Sequence, residues 1–130
     1  MYGRNAYQQS ATQTASPAQL VLMLYDGALL RIEQAREALE KPRDLMAAHT
    51  GIMKAQRIID ELELSLDHER GGEIAANLAS VYTYLGELLL EANLQKDPAL
   101  LADAAVVLQP LRDTWEQACV NAPVGAAVAG

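Results

Sequence analysis

The run from Ala15 to Ile32 constrains the fold more than any other stretch of this chain of 130 residues. It contains Ser16, then Pro17, with Gln19 three residues after the serine. Serine at the N-cap, proline in the first turn and glutamine at the third helical position together indicate a helix start. Five apolar residues lie outside the core stripe of this helix: Leu20, Leu22, Met23, Leu29 and Leu30. A helix that is apolar nearly all round needs a further cover, which another molecule can supply.

Apolar residues recur every three or four positions along four segments, which predicts four helices. The first is expected from Pro17 to about Glu40, the second from Leu45 to Leu66, the third from Glu73 to about Gln95 and the fourth from Pro98. Lys41 and Pro42 are expected to stop the first helix, and Pro42 can also open the second; Pro110 is expected to kink or break the fourth. The segment 67–72 ends in two glycines and is expected to separate the middle helices.

Short connections between four long helices predict an all-α fold, an antiparallel up-down four-helix bundle over residues 16–120. A flexible N-terminal arm, residues 1–15, precedes it, and a disordered tail, residues 121–130, follows. The arm carries Tyr2 and Tyr7, which are either merely exposed or docked over a groove.

Two helices carry a second line of residues beside their core stripes. In the second helix Met46, Met53 and Leu64 form a stripe that serves either ordinary packing or a partner. In the third helix the predicted core stripe is Ile74, Leu78, Val81, Leu85, Leu88 and Ala92. The line beside it is Ala75, Ala79, Tyr82, Gly86, Leu89 and Asn93. Its small residues indicate either a tight helix contact or the floor of a groove.

The charge balance argues against nucleic acid and membrane surfaces as partners. The formal net charge is -7, and both partners require clustered lysine and arginine. The single cysteine, Cys119, has no internal partner for a disulfide, and the N-terminus lacks the pattern of a signal peptide. No apolar run is long enough to predict membrane insertion. The cytoplasm is therefore the expected compartment.

Motifs for catalysis or metal binding are absent from the sequence. Neither His49 nor His68 has the Glu-x-x-His spacing of a bundle metal centre. A thiol or metal enzyme would require both histidines and Cys119 to converge in space. We therefore expect no catalytic residue, no metal and no cofactor. The surplus apolar surface indicates either a module that binds an apolar segment or a structural or adaptor bundle that self-associates.

The chain resembles the FliS family of flagellar secretion chaperones. The resemblance rests on matches in one order from residue 7 to residue 115: Tyr7-Gln8, Ala15-Ser16-Pro17, Leu22 to Ala28, Lys54-Ala55-Gln56, Ile58 to Leu62, Ser65-Leu66-Asp67, Gly71 to Ala75, Asn77-Leu78, Tyr82, Tyr84, Leu89 to Asn93, Leu111-Arg112 and Trp115. It implies a cytoplasmic helical bundle that binds the disordered C-terminal region of flagellin in apolar surface grooves. That binding prevents polymerisation before type III flagellar export.

The resemblance also implies partners and site residues. The partners are flagellin, the flagellar export gate and, in some members, an anti-sigma factor. Tyr7 would cover part of the flagellin groove in the free protein. The groove would be lined by Leu22, Met23, Ile58, Leu62, Tyr82, Leu89 and Asn93. Arg70 and Pro110 depart from the family pattern, which puts the geometry of the last two connections in question.

Overall fold

The computed structural model describes residues 15–121, which form four helices. They are α1 (Pro17–Ala38), α2 (Leu45–Leu64), α3 (His68–Gln95) and α4 (Pro98–Asn121). Each helix packs against the next, and α4 packs against α1, which closes the bundle. The all-α four-helix prediction is confirmed. Nearly all of the predicted arm and tail lies outside the described residues.

Side-chain caps determine where the first two helices begin. The Ser16 hydroxyl accepts from the backbone N–H of Gln19 at 3.2 Å, and the Gln19 side chain accepts from the backbone N–H of Ser16 at 2.9 Å. Asp44 caps α2 by accepting from the backbone N–H of Ala47 at 3.0 Å. The prediction that Pro42 opens this helix is wrong, because the capping carboxylate follows the proline by two residues.

The predicted start of α3 is wrong by about one turn. Asp67 accepts from the backbone N–H of Arg70 at 3.1 Å and starts the helix at His68, ahead of the two glycines. Gly72 then interrupts the helical geometry with φ 49° and ψ -120°. A glycine tolerates this left-handed φ because it has no Cβ to collide with the backbone. The expected glycine break therefore occurs as a kink inside α3.

A kink or a break was predicted at Pro110, and the break does not occur: α4 continues through this residue to Asn121. A proline inside a helix removes the hydrogen bond to the carbonyl four residues earlier, here that of Val106. Both residues lie on the solvent side of α4, and the Val106 side chain is 71% exposed. Water can therefore replace the missing donor, and the helix continues.

The core contains side chains from every helix. Its largest fully buried members are Ile32, Ile52, Ile59, Leu62, Leu85, Leu89, Leu101 and Leu108. Burying a side chain of this size contributes about 1.5–3 kcal/mol. The predicted core stripe of α3 is confirmed only in part: Leu85 and Ala92 are buried, but Ile74 is 68% exposed. Ala75, Tyr82 and Leu89 from the neighbouring line are buried as well. Both lines are apolar, so the period alone did not distinguish them.

A hydrogen bond between two tyrosines crosses the bundle and helps to explain why Tyr82 lies in the core. The hydroxyls of Tyr25 in α1 and Tyr82 in α3 are 2.5 Å apart, and both side chains are buried. A buried phenol needs such a partner, because an unpaired hydroxyl in the core costs about 1–3 kcal/mol. Burial raises the pKa of both hydroxyls, that of Tyr82 far above its usual range. The pair therefore stays neutral across the physiological range of pH.

Polar contacts also join α4 to α1. The Trp115 indole N–H donates to the Ala18 carbonyl at 2.8 Å. One turn earlier, Arg112 donates to Asp26 at 2.7 Å and to Glu116 at 2.9 Å. These contacts bring the end of α4 against the start of α1. Because consecutive helices run in opposite directions, the connection between α2 and α3 lies at this same end of the bundle.

Candidate partner-binding surface

A contact between α2 and α3 lies among several exposed apolar side chains. Nδ1 of His49 lies 3.0 Å from Nδ2 and 3.2 Å from Oδ1 of Asn93, so the two side chains are hydrogen-bonded. Met46 and Met53 lie one turn to either side of His49, Leu90 lies one turn before Asn93, and Leu94 directly follows it. These positions place the exposed apolar side chains around one contact.

We call this surface the α2–α3 apolar face: Leu45, Met46, Met53, Leu90 and Leu94. Their exposed fractions are 50%, 74%, 36%, 53% and 72%, respectively. Solvation of so many large apolar side chains is unfavourable, and exposed apolar side chains concentrated on one surface are typical of an interaction site. Methionine side chains are unbranched and polarisable, so they adapt to partners of different shape.

One small residue of α3, Gly86, lies in open space beside this face. A methyl group at Gly86 would meet no side chain or neighbouring helix within 4 Å. Gly86 lies seven residues before Asn93, on the side of α3 that faces α2. Gly86 is therefore in open space, which fits the groove interpretation of this position. Ala75, Tyr82 and Leu89 from the same predicted line instead belong to the core.

A second exposed apolar surface lies on α1. Leu20, Met23 and Leu30 are 37%, 37% and 49% exposed, respectively. Gly27 lies between the last two, and a methyl group there would lie 3.4 Å from Cδ1 of Ile58 in α2. Met23 and Ile58 therefore lie near each other, on either side of the α1–α2 contact. We call Leu20, Met23 and Leu30 the α1 apolar face.

The residues predicted to bind a partner divide into three groups. Met23 is exposed, and Leu22, Ile58 and Asn93 are partly exposed. Leu62, Tyr82 and Leu89 are buried in the core, so a partner would reach their main surfaces only if the helices separated. Tyr7 lies outside the described residues. The partner-binding role of all eight residues stays a prediction.

Sequence reasoning missed most of the α2–α3 apolar face. None of Leu45, Leu90 and Leu94 was predicted to lie on a partner surface, and all three are at least half-exposed. The exposed stripe of Met46, Met53 and Leu64 was the available signal, since all three are exposed. The surface follows from where α3 lies relative to α2, which the sequence alone did not provide.

The residues that an enzyme would use do not form one site. His49 contacts Asn93 near the end of α3, whereas the Cys119 thiol faces the Ala18 carbonyl at 3.7 Å near the start of α1. His68 begins α3 as an exposed residue. Burial raises the pKa of the Cys119 thiol, which lowers its nucleophilic fraction. Between residues 15 and 121 no group of three histidine, cysteine or acidic side chains is arranged to hold a metal ion.

A small cavity of about 20 Å³ lies between the helices near the paired termini. The hydroxyl-bonded Tyr25 and Tyr82 line it, together with Trp115 and Leu66. A volume of this size accommodates about one water molecule and no organic ligand. The cavity therefore belongs to the packing of the bundle rather than to a ligand site.

Comparison with known proteins identifies the family of this bundle. A family model described as "Flagellar protein FliS" matches residues 1–122. The chain belongs to the FliS family. A FliS relative named flagellar secretion chaperone, from Salmonella typhimurium, is 41% identical over 120 residues, covering 88% of each chain. One with the same name from Bacillus subtilis is 38% identical over 113 residues, covering 87% of this chain and 83% of the relative.

Further comparisons agree on name and fold. A Pseudomonas aeruginosa relative named flagellar secretion chaperone FliSB is 37% identical, covering 89% of this chain and 97% of its own length. A solved structure titled as a flagellar chaperone from bacteria has the same fold, with TM-score 0.74, 20% identity and coverage of 92% of this chain and 98% of that one. The FliS relatives are thus named for a chaperone role, which is not enzymatic. Within the described helices, none is long and apolar enough to cross a membrane.

Proposed function

We propose that this protein is a cytoplasmic export chaperone that binds the disordered C-terminal region of flagellin and keeps it from polymerising before export. The observation that carries the proposal is the α2–α3 apolar face, with five large apolar side chains exposed around one interhelical contact. Relatives named flagellar secretion chaperones support a client from the flagellum. The export gate and, as in some members of the family, an anti-sigma factor are proposed as further partners.

The physical reason for such a chaperone lies in the client. A disordered apolar segment at high concentration self-assembles, and burying its apolar side chains in a groove blocks that route. The segment loses conformational entropy when it is ordered, so the buried apolar area must more than offset that loss. Two separated surfaces, the α2–α3 apolar face and the α1 apolar face, offer more area than either alone and suit a client that wraps the bundle.

Calorimetric titration with a flagellin C-terminal peptide tests the proposal. Binding is expected to be one-to-one, with a negative heat capacity change that reports burial of apolar surface. Salt is expected to change the affinity by less than about tenfold, because screening weakens charge interactions and leaves apolar contacts intact. Light scattering on the same samples measures the mass of the free and bound protein. A stable homodimer that does not bind the peptide would instead support the alternative function, a structural or adaptor bundle that self-associates.

Matched substitutions identify the surface that is used. Leu90→Glu places a charge on the α2–α3 apolar face, and it is expected to weaken binding by at least about tenfold because the charge would be desolvated. Val106→Glu makes a similar change at a 71% exposed position of α4, away from both apolar faces. It is expected to leave the affinity unchanged. Equal losses in the two variants would contradict the assignment of the surface.

A further inference from the structure

Two cationic side chains stand at one end of the α2–α3 apolar face. The Arg43 guanidinium donates to the Lys96 carbonyl at 3.2 Å, which holds the two residues together. The Lys96 ammonium donates to the carbonyl and the side-chain oxygen of Asn93, at 2.6 and 2.7 Å. Asn93 is also the partner of His49 at the centre of the face. A chain of hydrogen bonds therefore connects both cations to the apolar surface.

Neither cation is neutralised by a carboxylate within residues 15–121. The ion pairs of that part of the chain involve Arg36, Arg70 and Arg112 instead. The nearest acidic residues in sequence accept hydrogen bonds from helix ends: Asp44 from the backbone N–H of Ala47, and Asp97 from that of Ala99. Although the whole chain has a net charge of -7, this end of the α2–α3 apolar face places two cationic side chains next to exposed leucines. It is complementary to an anionic group attached to an apolar segment.

We propose that Arg43 and Lys96 bind the terminal α-carboxylate of the client, while its last apolar side chains pack on Met46, Leu90 and Leu94. The inference rests on the proposed function, since a C-terminal segment ends in a carboxylate. An apolar chain end cannot be buried on this face without a partner for that charge. One of the five N–H donors of Arg43 is used within the described structure, so the guanidinium retains donors for a carboxylate.

Two other occupants would also fit this end of the α2–α3 apolar face. An acidic side chain inside the client would also satisfy the cations, but its binding would not depend on the state of the chain end. A second copy of this protein would cover the same leucines without any peptide. Chemical modification of the client terminus therefore distinguishes the α-carboxylate from both.

The test is calorimetric titration of the full chaperone with two flagellin C-terminal peptides, identical except that one ends in a carboxylate and the other in an amide. At low salt, amidation is expected to weaken binding about fivefold, as for a partly solvated charge-assisted contact. Arg43→Gln is expected to remove the difference between the peptides. Arg57→Gln is the matched control, because Arg57 is exposed on α2 about 12 Å beyond His49 along the helix axis.

Each outcome bears on a different statement. A fivefold preference for the free acid that Arg43→Gln abolishes and Arg57→Gln preserves supports the carboxylate site. Equal affinity of the two peptides for the unaltered protein refutes the site and leaves the proposed function standing. Failure of both peptides to bind refutes the proposed function and the site together. A preference that survives Arg43→Gln places the carboxylate elsewhere and overturns the proposal.

Discussion

The closest approach of α1 to α2 depends on Gly51. A Cβ at this position would lie 3.2 Å from the Ala35 Cβ and 3.2 Å from the Arg31 carbonyl oxygen. Both atoms are fixed to the α1 backbone, so neither can rotate away. Gly51→Ala therefore forces the two helices apart by a few tenths of an ångström, and overpacking of this kind costs about 1–3 kcal/mol.

Alanine is also the better helix former, and this effect must be subtracted. Replacing glycine by alanine inside a helix gains about 1 kcal/mol, so Gly51→Ala is expected to lose about 1 kcal/mol net. Gly86→Ala is the matched control in α3, because its new methyl group would meet no neighbouring helix within 4 Å. It is expected to gain about 0.5–1 kcal/mol. The two variants should thus differ by about 2 kcal/mol.

Urea unfolding at equilibrium measures this difference as a shift in midpoint at constant slope. A second substitution, Ala35→Gly, removes one of the two opposing groups. In a double-mutant cycle it should recover part of the loss in Gly51→Ala, after correction for its own effect on helix propensity. A Gly51→Ala protein as stable as Gly86→Ala would refute the close packing of α1 on α2.

Four further predictions concern the buried tyrosines, Pro110 and Cys119. Tyr25→Phe is expected to cost about 1–2 kcal/mol because it leaves the Tyr82 hydroxyl unpaired, whereas the double phenylalanine variant should be closer to the unaltered protein in urea unfolding. Burial raises the pKa of both phenols above 10.0, so above about pH 10 the folded protein retains protons that the unfolded chain releases. The free energy of unfolding should therefore fall as pH rises above about 10, and this fall should be smaller in the double phenylalanine variant. Pro110→Ala should raise the unfolding free energy by about 1–2 kcal/mol, since it restores a donor for the Val106 carbonyl. Alkylation of Cys119 should be slower in the native protein than in urea, because burial raises the pKa of its thiol.

The sequence predicted the helices better than their faces. Ser16 and Gln19 identified the start of α1, because a capping box is a local interaction that needs no tertiary contact. The start of α3 was misassigned because a single turn between Asp67 and Gly72 has too few residues for a periodic signal. The break expected at Pro110 does not occur, because the cost of a proline inside a helix depends on whether water reaches the carbonyl that loses its donor.

The candidate surface was less predictable than the fold for a physical reason. On α3 two adjacent lines are both apolar, and the core contains residues of each. Tyr82, from the line beside the predicted stripe, is buried against Tyr25 of α1, which is 57 residues away in sequence. Once the register is known, Leu90 and Leu94 necessarily point outward. The sequence indicated that apolar residues were in surplus, but only the packed bundle indicates which of them remain exposed.

An exposed apolar face must be reconciled with a free chaperone that remains in solution. The net charge of -7 opposes the approach of two copies, and salt weakens that opposition because the screening length falls from about 10 Å at 0.1 M to about 3 Å at 1 M. The free protein is therefore expected to self-associate as salt is raised, which light scattering measures as an increase in mass. Leu90→Glu should suppress this association, and Val106→Glu should not. If the free protein keeps its mass in high salt, charge repulsion is not what keeps the α2–α3 apolar face available to a client.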